Sequence, residues 1–312
     1  MPLSLRRGRV TAITERDGAL VRLEVDGVAC VAYPSLTGPV ELDDEVLVNV
    51  QARELELGSG GFDVLYANLT RGLELPAEEG AHVMVLPYTP VQHARVHVEE
   101  AGELAEGLAG MPVVCCSLHS QVVPVCAALD GLRVAYVQLG GGALPVSLSD
   151  AVRALRERRL LVSTVAVAPC FDADVQCVSV ASALAWARLE HDVAVCAIGP
   201  GIVGTGSRFG HGGLVAAEAA NAALALGGLP VIAVRASGAD ERERHRGMSH
   251  HTEAVLSLVR GDAVVGEDGD GWREATVGLP LSHMGRGPHE DPAFFASAYA
   301  AGVAARKLAR DA

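Results

Sequence analysis

Residues 193–226 read VAVCAIGPGIVGTGSRFGHGGLVAAEAANAALAL. Val193–Ile198 is an unbroken apolar run, Leu214–Leu226 is an alanine-rich helical run, and glycine dominates the connection between them. A short apolar run without alternation, closed by glycine and followed by a helical pattern, is the signature of a parallel strand buried on both faces. The same unit recurs from residue 81 onward. Strand candidates are His82–Leu86, Pro112–Ser117, Arg133–Leu139, Leu160–Ala166, Val193–Ile198 and Pro230–Arg235. Helix candidates are Glu99–Leu108, Gln121–Leu129, Ser149–Arg158, Ser179–Glu190, Leu214–Leu226 and the terminal Pro292–Arg310. Alternating strands and helices predict a Rossmann-like α/β domain, a parallel sheet with helices on both faces.

Before residue 76 the pattern differs. Val10–Ile13, Leu20–Val25, Val28–Tyr33, Glu45–Ala52 and Asp63–Asn68 are short β-rich runs separated by turn residues. Asp26-Gly27 between two alternating runs predicts a tight hairpin. Gly58-Ser59-Gly60-Gly61-Phe62 reads as the loop into the last run. Close-set short strands predict a small barrel, SH3-like or OB-like, over 1–75. The polar stretch Pro76–Gly80 marks the boundary, so the α/β domain is expected over 76–312.

Composition narrows the function. Half of the 312 residues are hydrophobic, which predicts a sizeable core, and the aromatic share of 4% requires that core to be built from small side chains. The net charge of −13 argues against a nucleic-acid partner, which needs a basic face. The only lysine is Lys307, so neither a phosphate loop nor buried Schiff-base chemistry is available. Cationic contacts must come from arginine or a metal. The seven cysteines include no Cys-x-x-Cys pair, and the expectation is buried free thiols in a reducing, cytoplasmic setting. No leader-like segment follows Met1, and no apolar run approaches the roughly 20 residues of a membrane span. No membrane association is expected, and a homodimer is expected only from base rates.

In a parallel sheet, ligands bind beyond the carboxyl ends of the strands. That rule draws Pro87–Gln92, Leu118–Gln121, Gly140–Pro145, Gly199–Gly213 and Ala236–Ser249 to one rim. Gly199-Pro200-Gly201-Ile202-Val203-Gly204 contains Gly-x-Gly-x-x-Gly, but Pro200 removes an N–H and the helix starts too late for a dinucleotide turn. A backbone cradle for another anion, from Gly199, Gly201, Gly204, Thr205 and Gly206, competes with a tightly folded loop. Gly141 and Gly142 offer a second close backbone approach, or a plain turn.

Residues 240–252 read DERERHRGMSHHT. Ser249 is placed to cap a helix, which puts His250 and His251 in its first turn. The helix dipole there disfavours imidazolium, and neutral imidazole is what a general base or metal ligand requires. His245 and His211 could join them on a metal. A hydrogen-bonded polar turn is the plain alternative. An anion site using Arg244, Arg246, Ser249 and the helix N-terminus is favoured over a metal. His119 follows a strand and could face the rim, with Ser120 as a helix cap the alternative. Asp172 and Asp174 could offer carboxylates, or be solvated loop residues. Ser282–Arg286 is a late loop able to close over the site. No Gly-x-Ser-x-Gly elbow and no His-Glu-x-x-His spacing occurs.

Leu118-His119-Ser120, Gly141-Gly142-Ala143-Leu144-Pro145, Gly199–Gly206, Arg244–His251 and Leu57–Gly61 together resemble the bacterial domain of unknown function 3866 family across nearly the whole chain. Gly140 stands where the family pattern has Asp, which removes an acidic role there. The resemblance implies no known activity, cofactor or catalytic residue. The residues themselves favour an enzyme of hydrolase or group-transfer type acting on a small anionic substrate, with His250 or His251 as acid/base. The alternatives are a metabolite-sensing scaffold whose barrel contacts a partner, and a His-ligated metal enzyme. The sequence names no cofactor.

Overall fold

The computed structural model describes residues 3–56, 61–71 and 75–311, and divides into two compact units, Met1–Ala94 and Arg95–Ala312. The Gly58-Ser59-Gly60 part of the expected loop lies outside the described residues.

The first unit is a closed five-stranded barrel of β1 (Leu5–Asp17), β2 (Leu20–Val25), β3 (Val28–Ala32), β4 (Glu45–Asn49) and β5 (Asp63–Asn68). The order β1-β2-β3-β5-β4 closes on β1, and β3 runs parallel to β5. Of the two expected barrel types this is the OB order. The turn Asp26-Gly27 has positive φ at both residues (51° and 75°), so it matches the twist of the strands it joins. β1 is longer than its apolar run because its outer positions carry arginines held by acidic partners, such as Arg7 on Glu45 and Arg16 on Glu41. Inside, Val10, Leu23, Val25, Val46, Val48 and Leu65 alternate inward to form the core. Two buried carboxylates are each held by arginine: Asp63 by Arg53, and Asp44 by Arg71 and the Asn68 amide.

Two strand and helix expectations fail next. Val83–Val85 (β6) pairs with His93–Arg95 (β7) in a small ribbon and does not enter the main sheet, so the segment 87–92 does not follow a sheet strand. The expected helix Glu99–Leu108 is one turn, Val98–Ala101. Gly102 and Gly107 interrupt the apolar period there, and each glycine weakens a helix interior by up to about 1 kcal/mol.

The second unit holds a seven-stranded parallel sheet. Its strands are β8 (Pro112–Cys116), β9 (Val134–Leu139), β10 (Ser163–Val167), β11 (Val175–Cys177), β12 (Val193–Ile198), β13 (Leu229–Ala233) and, after a two-stranded ribbon of β14 (Ala236–Ser237) and β15 (Gly247–Met248), β16 (Val264–Val265). The order is β11-β10-β9-β12-β8-β13-β16. β8, β9 and β12 are buried along their whole length. Helices Val180–Glu190, Val215–Ala225 and His250–Leu258 bury one face of the sheet, and Val122–Ala128, Asp150–Glu157 and Pro292–Asp311 bury the other. Small side chains let these layers approach. Ala216, Ala219, Ala220 and Ala223 pack onto the sheet, and a Cβ at Gly302 would overlap the Val125 carbonyl of a neighbouring helix. All seven cysteines are buried and unpaired, Cys30 in the barrel and the other six in the α/β unit. Among the described residues no helix is long and apolar enough to cross a membrane.

Candidate functional site

β8, β9, β12 and β13 end side by side, and the loops leaving them meet. The Gly141 carbonyl accepts the Val203 N–H (2.9 Å), the Pro200 carbonyl accepts the Ala143 N–H (2.9 Å), and Val203 accepts the Gly212 N–H (2.7 Å). A Cβ at Gly142 or Gly199 would strike the opposite loop's backbone, and one at Gly141, where φ is +114°, would lie 2.5 Å from the Gly212 carbonyl oxygen. These glycines allow loop-on-loop backbone contact. Gly201 has φ of +73°, and Gly204 bridges to His211. The tip between them folds on itself. Thr205 N–H donates to the Gly210 carbonyl, and its hydroxyl contacts Ser207 (2.9 Å). Gly206 sits at that tip with open space around it.

His119 turns inward. Its Nδ1–H donates to the Ile198 carbonyl (3.1 Å), and Nε2 accepts from Ser149 Oγ (2.6 Å), itself the cap of helix Asp150–Glu157. Burial pushes its proton affinity down to about 4. Ser120 does not cap a helix. It lies within a 3₁₀ turn, and its hydroxyl meets His283 Nδ1 (3.3 Å). Asp174 ties Arg156 to Thr164 at the sheet edge, which gives it a structural use.

The histidine turn is built on the end of β13. Arg235 N–H donates to Thr252 Oγ1 (2.9 Å) and the Arg235 carbonyl accepts the Ser249 N–H (2.8 Å), which pins the helix start to the strand end. Ser249 caps that helix by accepting the His251 N–H. His250 and His251 therefore stand in its first turn, as the sequence predicts. Residues 238–246 connect the two strands of the ribbon β14–β15, and the 3₁₀ turn Glu243–His245 brings His245 against His250 and His251. His211 arrives from the loop after β12. Ring centroids are 3.7 Å apart for His211 and His251, 4.5 Å for His250 and His251, 4.8 Å for His245 and His250, and 6.1 Å for His211 and His250. His211, His245 and His251 are buried and His250 is half-buried. Ligand-capable atoms of His245, His250 and His251 all lie within 4.8 Å of one another, so these three could hold a metal.

The hydrogen-bond partners are unevenly distributed. His245 Nδ1 bonds Ser249 Oγ (2.7 Å), and Arg235 Nη1 donates to His251 Nδ1 (3.0 Å). His250 Nε2 and both ring nitrogens of His211 are buried and make no hydrogen bond; the Arg208 carbonyl near His211 raises its proton affinity without meeting hydrogen-bond geometry. Burial is the main force keeping all four rings neutral, with nearby cations adding to it. His245 is pushed down to about 3, and His211, His250 and His251 are all lowered.

Sequence reasoning did not single out Arg235. It is 2% exposed, at the end of an apolar strand where a cation is out of pattern, and that break was the available signal. Burial lowers its proton affinity to about 10, Asp240 opposes the shift, and Arg242, Arg286 and Arg244 reinforce it. Asp240 sits among Arg242 (2.9 Å), Arg286 (3.2 Å) and Arg235 (3.7 Å). The late loop contributes through Arg286, His283 and the nearby Asp291, which accepts from Ser237 Oγ (2.5 Å). His283 lies flat on Phe294, its Nε2 buried without a partner. Arg244 is exposed, and Arg246 Nε donates to the Asp240 carbonyl (2.9 Å). None of the curated proteins compared with this chain matches it. The sequence model of DUF3866, a family of proteins of unknown function, matches residues 29–269, and the chain belongs to that family.

Proposed function

We propose that the α/β unit binds a small anionic molecule at the carboxyl rim of its sheet and acts on it by hydrolysis or group transfer, with the neutral histidines as the acid/base groups. The observation that carries this reading is the state of Arg235. Its guanidinium is buried, its Nε–H has no acceptor, and its closest carboxylate contact is 3.7 Å away. Arg242, Arg244 and Arg286 act on the same region, so that with Arg235 four cations face three carboxylates, Asp240, Asp291 and Glu253. Buried cations are ordinarily paired, so a surplus of this kind favours an anionic ligand. Burial and that charge keep the imidazoles neutral with a lone pair available, and a bound anion would raise their proton affinity toward the working range of a general base.

The test is thermal denaturation against inorganic phosphate, nucleotides, sugar phosphates and small carboxylates, with metal-free protein. A ligand at 100 times its Kd raises stability by about 2.7 kcal/mol. The expected hit weakens in Arg244→Ala and Arg246→Ala, both at exposed side chains, with the melting of each ligand-free variant as its own baseline. A panel without any stabilising anion, or a hit indifferent to both substitutions, overturns the reading.

A further inference from the structure

The orphaned imidazoles are an observation separate from the arginine surplus. We propose that His245, His250 and His251 hold one divalent transition-metal ion. An all-imidazole set suits zinc, copper, nickel or ferrous iron and disfavours calcium and magnesium, and zinc fits a compact three-nitrogen site with an open fourth position best.

Three features support the assignment. First, a buried polar atom without a partner costs about 1–3 kcal/mol, and His250 Nε2, in this cluster, is such an atom. Coordination supplies the missing partner. Second, Ser249 orients His245 from behind. Its Oγ, which also accepts the His251 N–H, lies 2.7 Å from His245 Nδ1; in the metal-bound form Nδ1–H donates to that oxygen and Nε2 carries the lone pair. Metal-bound histidines are held by such outer hydrogen bonds. Third, the spacing is close to what one ion needs. Nitrogens at about 2.0–2.1 Å from a tetrahedral ion lie roughly 3.4 Å apart, and the three candidate atoms fall within 4.8 Å. Side-chain rotations of an ångström or so close the difference.

Arg235 sets the condition for loading. While its Nη1–H donates to His251 Nδ1, the neutral ring carries its proton on Nε2 and has no lone pair to give. Ligation by His251 therefore requires the guanidinium to turn away, and Asp240 Oδ2 is the acceptor within reach. Metal binding and release of Arg235 are one event in this site.

The test begins with the metal content of protein purified without chelator and then equilibrated with zinc and dialysed. One ion per chain is expected. His245→Gln and His250→Gln should each weaken retention at least tenfold, and Ser249→Ala about 10–100-fold, with Ser249→Thr restoring it. His289→Ala, an exposed histidine, should change nothing. X-ray absorption on the zinc-loaded wild type does not depend on any variant folding, and should show a nitrogen shell at about 2.0–2.1 Å with imidazole scattering. No retained metal, a shell without imidazole, or equal retention in the His245→Gln/His250→Gln double variant overturns the proposal. Because anion binding is measured on metal-free protein, either reading can fail without the other.

Discussion

The glycine connection 199–213 and the histidine turn 238–252 begin alike, each leaving the carboxyl end of a sheet strand. They differ in what the fold uses them for. In the first, backbone groups bond across to the loop after β9, and glycines permit that closeness. In the second, the backbone is equally well pinned, by Arg235, Ser249 and Thr252, but buried polar atoms are left over around it: His250 Nε2, the Arg235 Nε–H and, from His211 at the far end of the first connection, both ring nitrogens. Sequence alone makes both look like ligand loops. The difference teaches that a glycine run signals close approach without saying to what, whereas buried polar atoms without partners point outward, to a molecule not part of the chain.

The comparison can be broken by substitution. The largest effect is expected at Gly141. Gly141→Ala combines a strained φ with a collision against Gly212, and should cost roughly 3–5 kcal/mol in urea unfolding followed by a probe in the α/β unit. A loss below about 1 kcal/mol would mean the loops part easily and the glycine region is free to serve a ligand.

Acid should act next, through His119. Its folded-state proton affinity, about 4, lies below the ordinary histidine value of 6.5. Between these values the unfolded chain binds a proton the folded one refuses, so stability falls as pH drops from 6.5 toward 4. For this one group the loss is roughly 3 kcal/mol. The fall in denaturant midpoint across that window should be smaller in His119→Gln by this share, the remainder coming from the other buried histidines whose proton affinity is lowered; an unchanged slope removes the argument.

A smaller effect is expected at Ser249. Ser249→Ala removes a helix cap and should cost about 1 kcal/mol in the same unfolding assay, with a larger loss if the cap also holds the histidines in metal-free protein. Gly206→Ala should be nearly silent, within about 0.5 kcal/mol, because nothing surrounds a Cβ there. A marked change at Gly206 in ligand affinity, with stability intact, would restore the glycine tip as a binding element.

Much of the fold is legible in the sequence because it is local. The Asp26-Gly27 turn, the Ser249 cap and the buried strands follow from periodicity and from residues a few positions apart. The insertion of β12 between β8 and β9 has no local signal, since it depends on which strands pair across the sheet. β6 fails as a sheet strand because its three residues expose Met84 and bury only Val85. The site divides in the same way. His250 and His251 announce themselves as helix-start residues, while their contact with His211, some forty positions away, and the placing of Arg235 among Asp240, Arg242 and Arg286 arise only when the rim loops close.

The placement of the seven thiols has a practical consequence. With every cysteine enclosed, an alkylating reagent can reach sulfur only when the chain opens. Cys30 answers for the barrel alone, and Cys115, Cys116, Cys126, Cys170, Cys177 and Cys196 answer for the sheet and its helices. Mass spectrometry of pulse-labelled protein would therefore clock the opening of each unit separately in the native chain, with no label introduced by design, and would show which unit a bound anion or metal keeps shut.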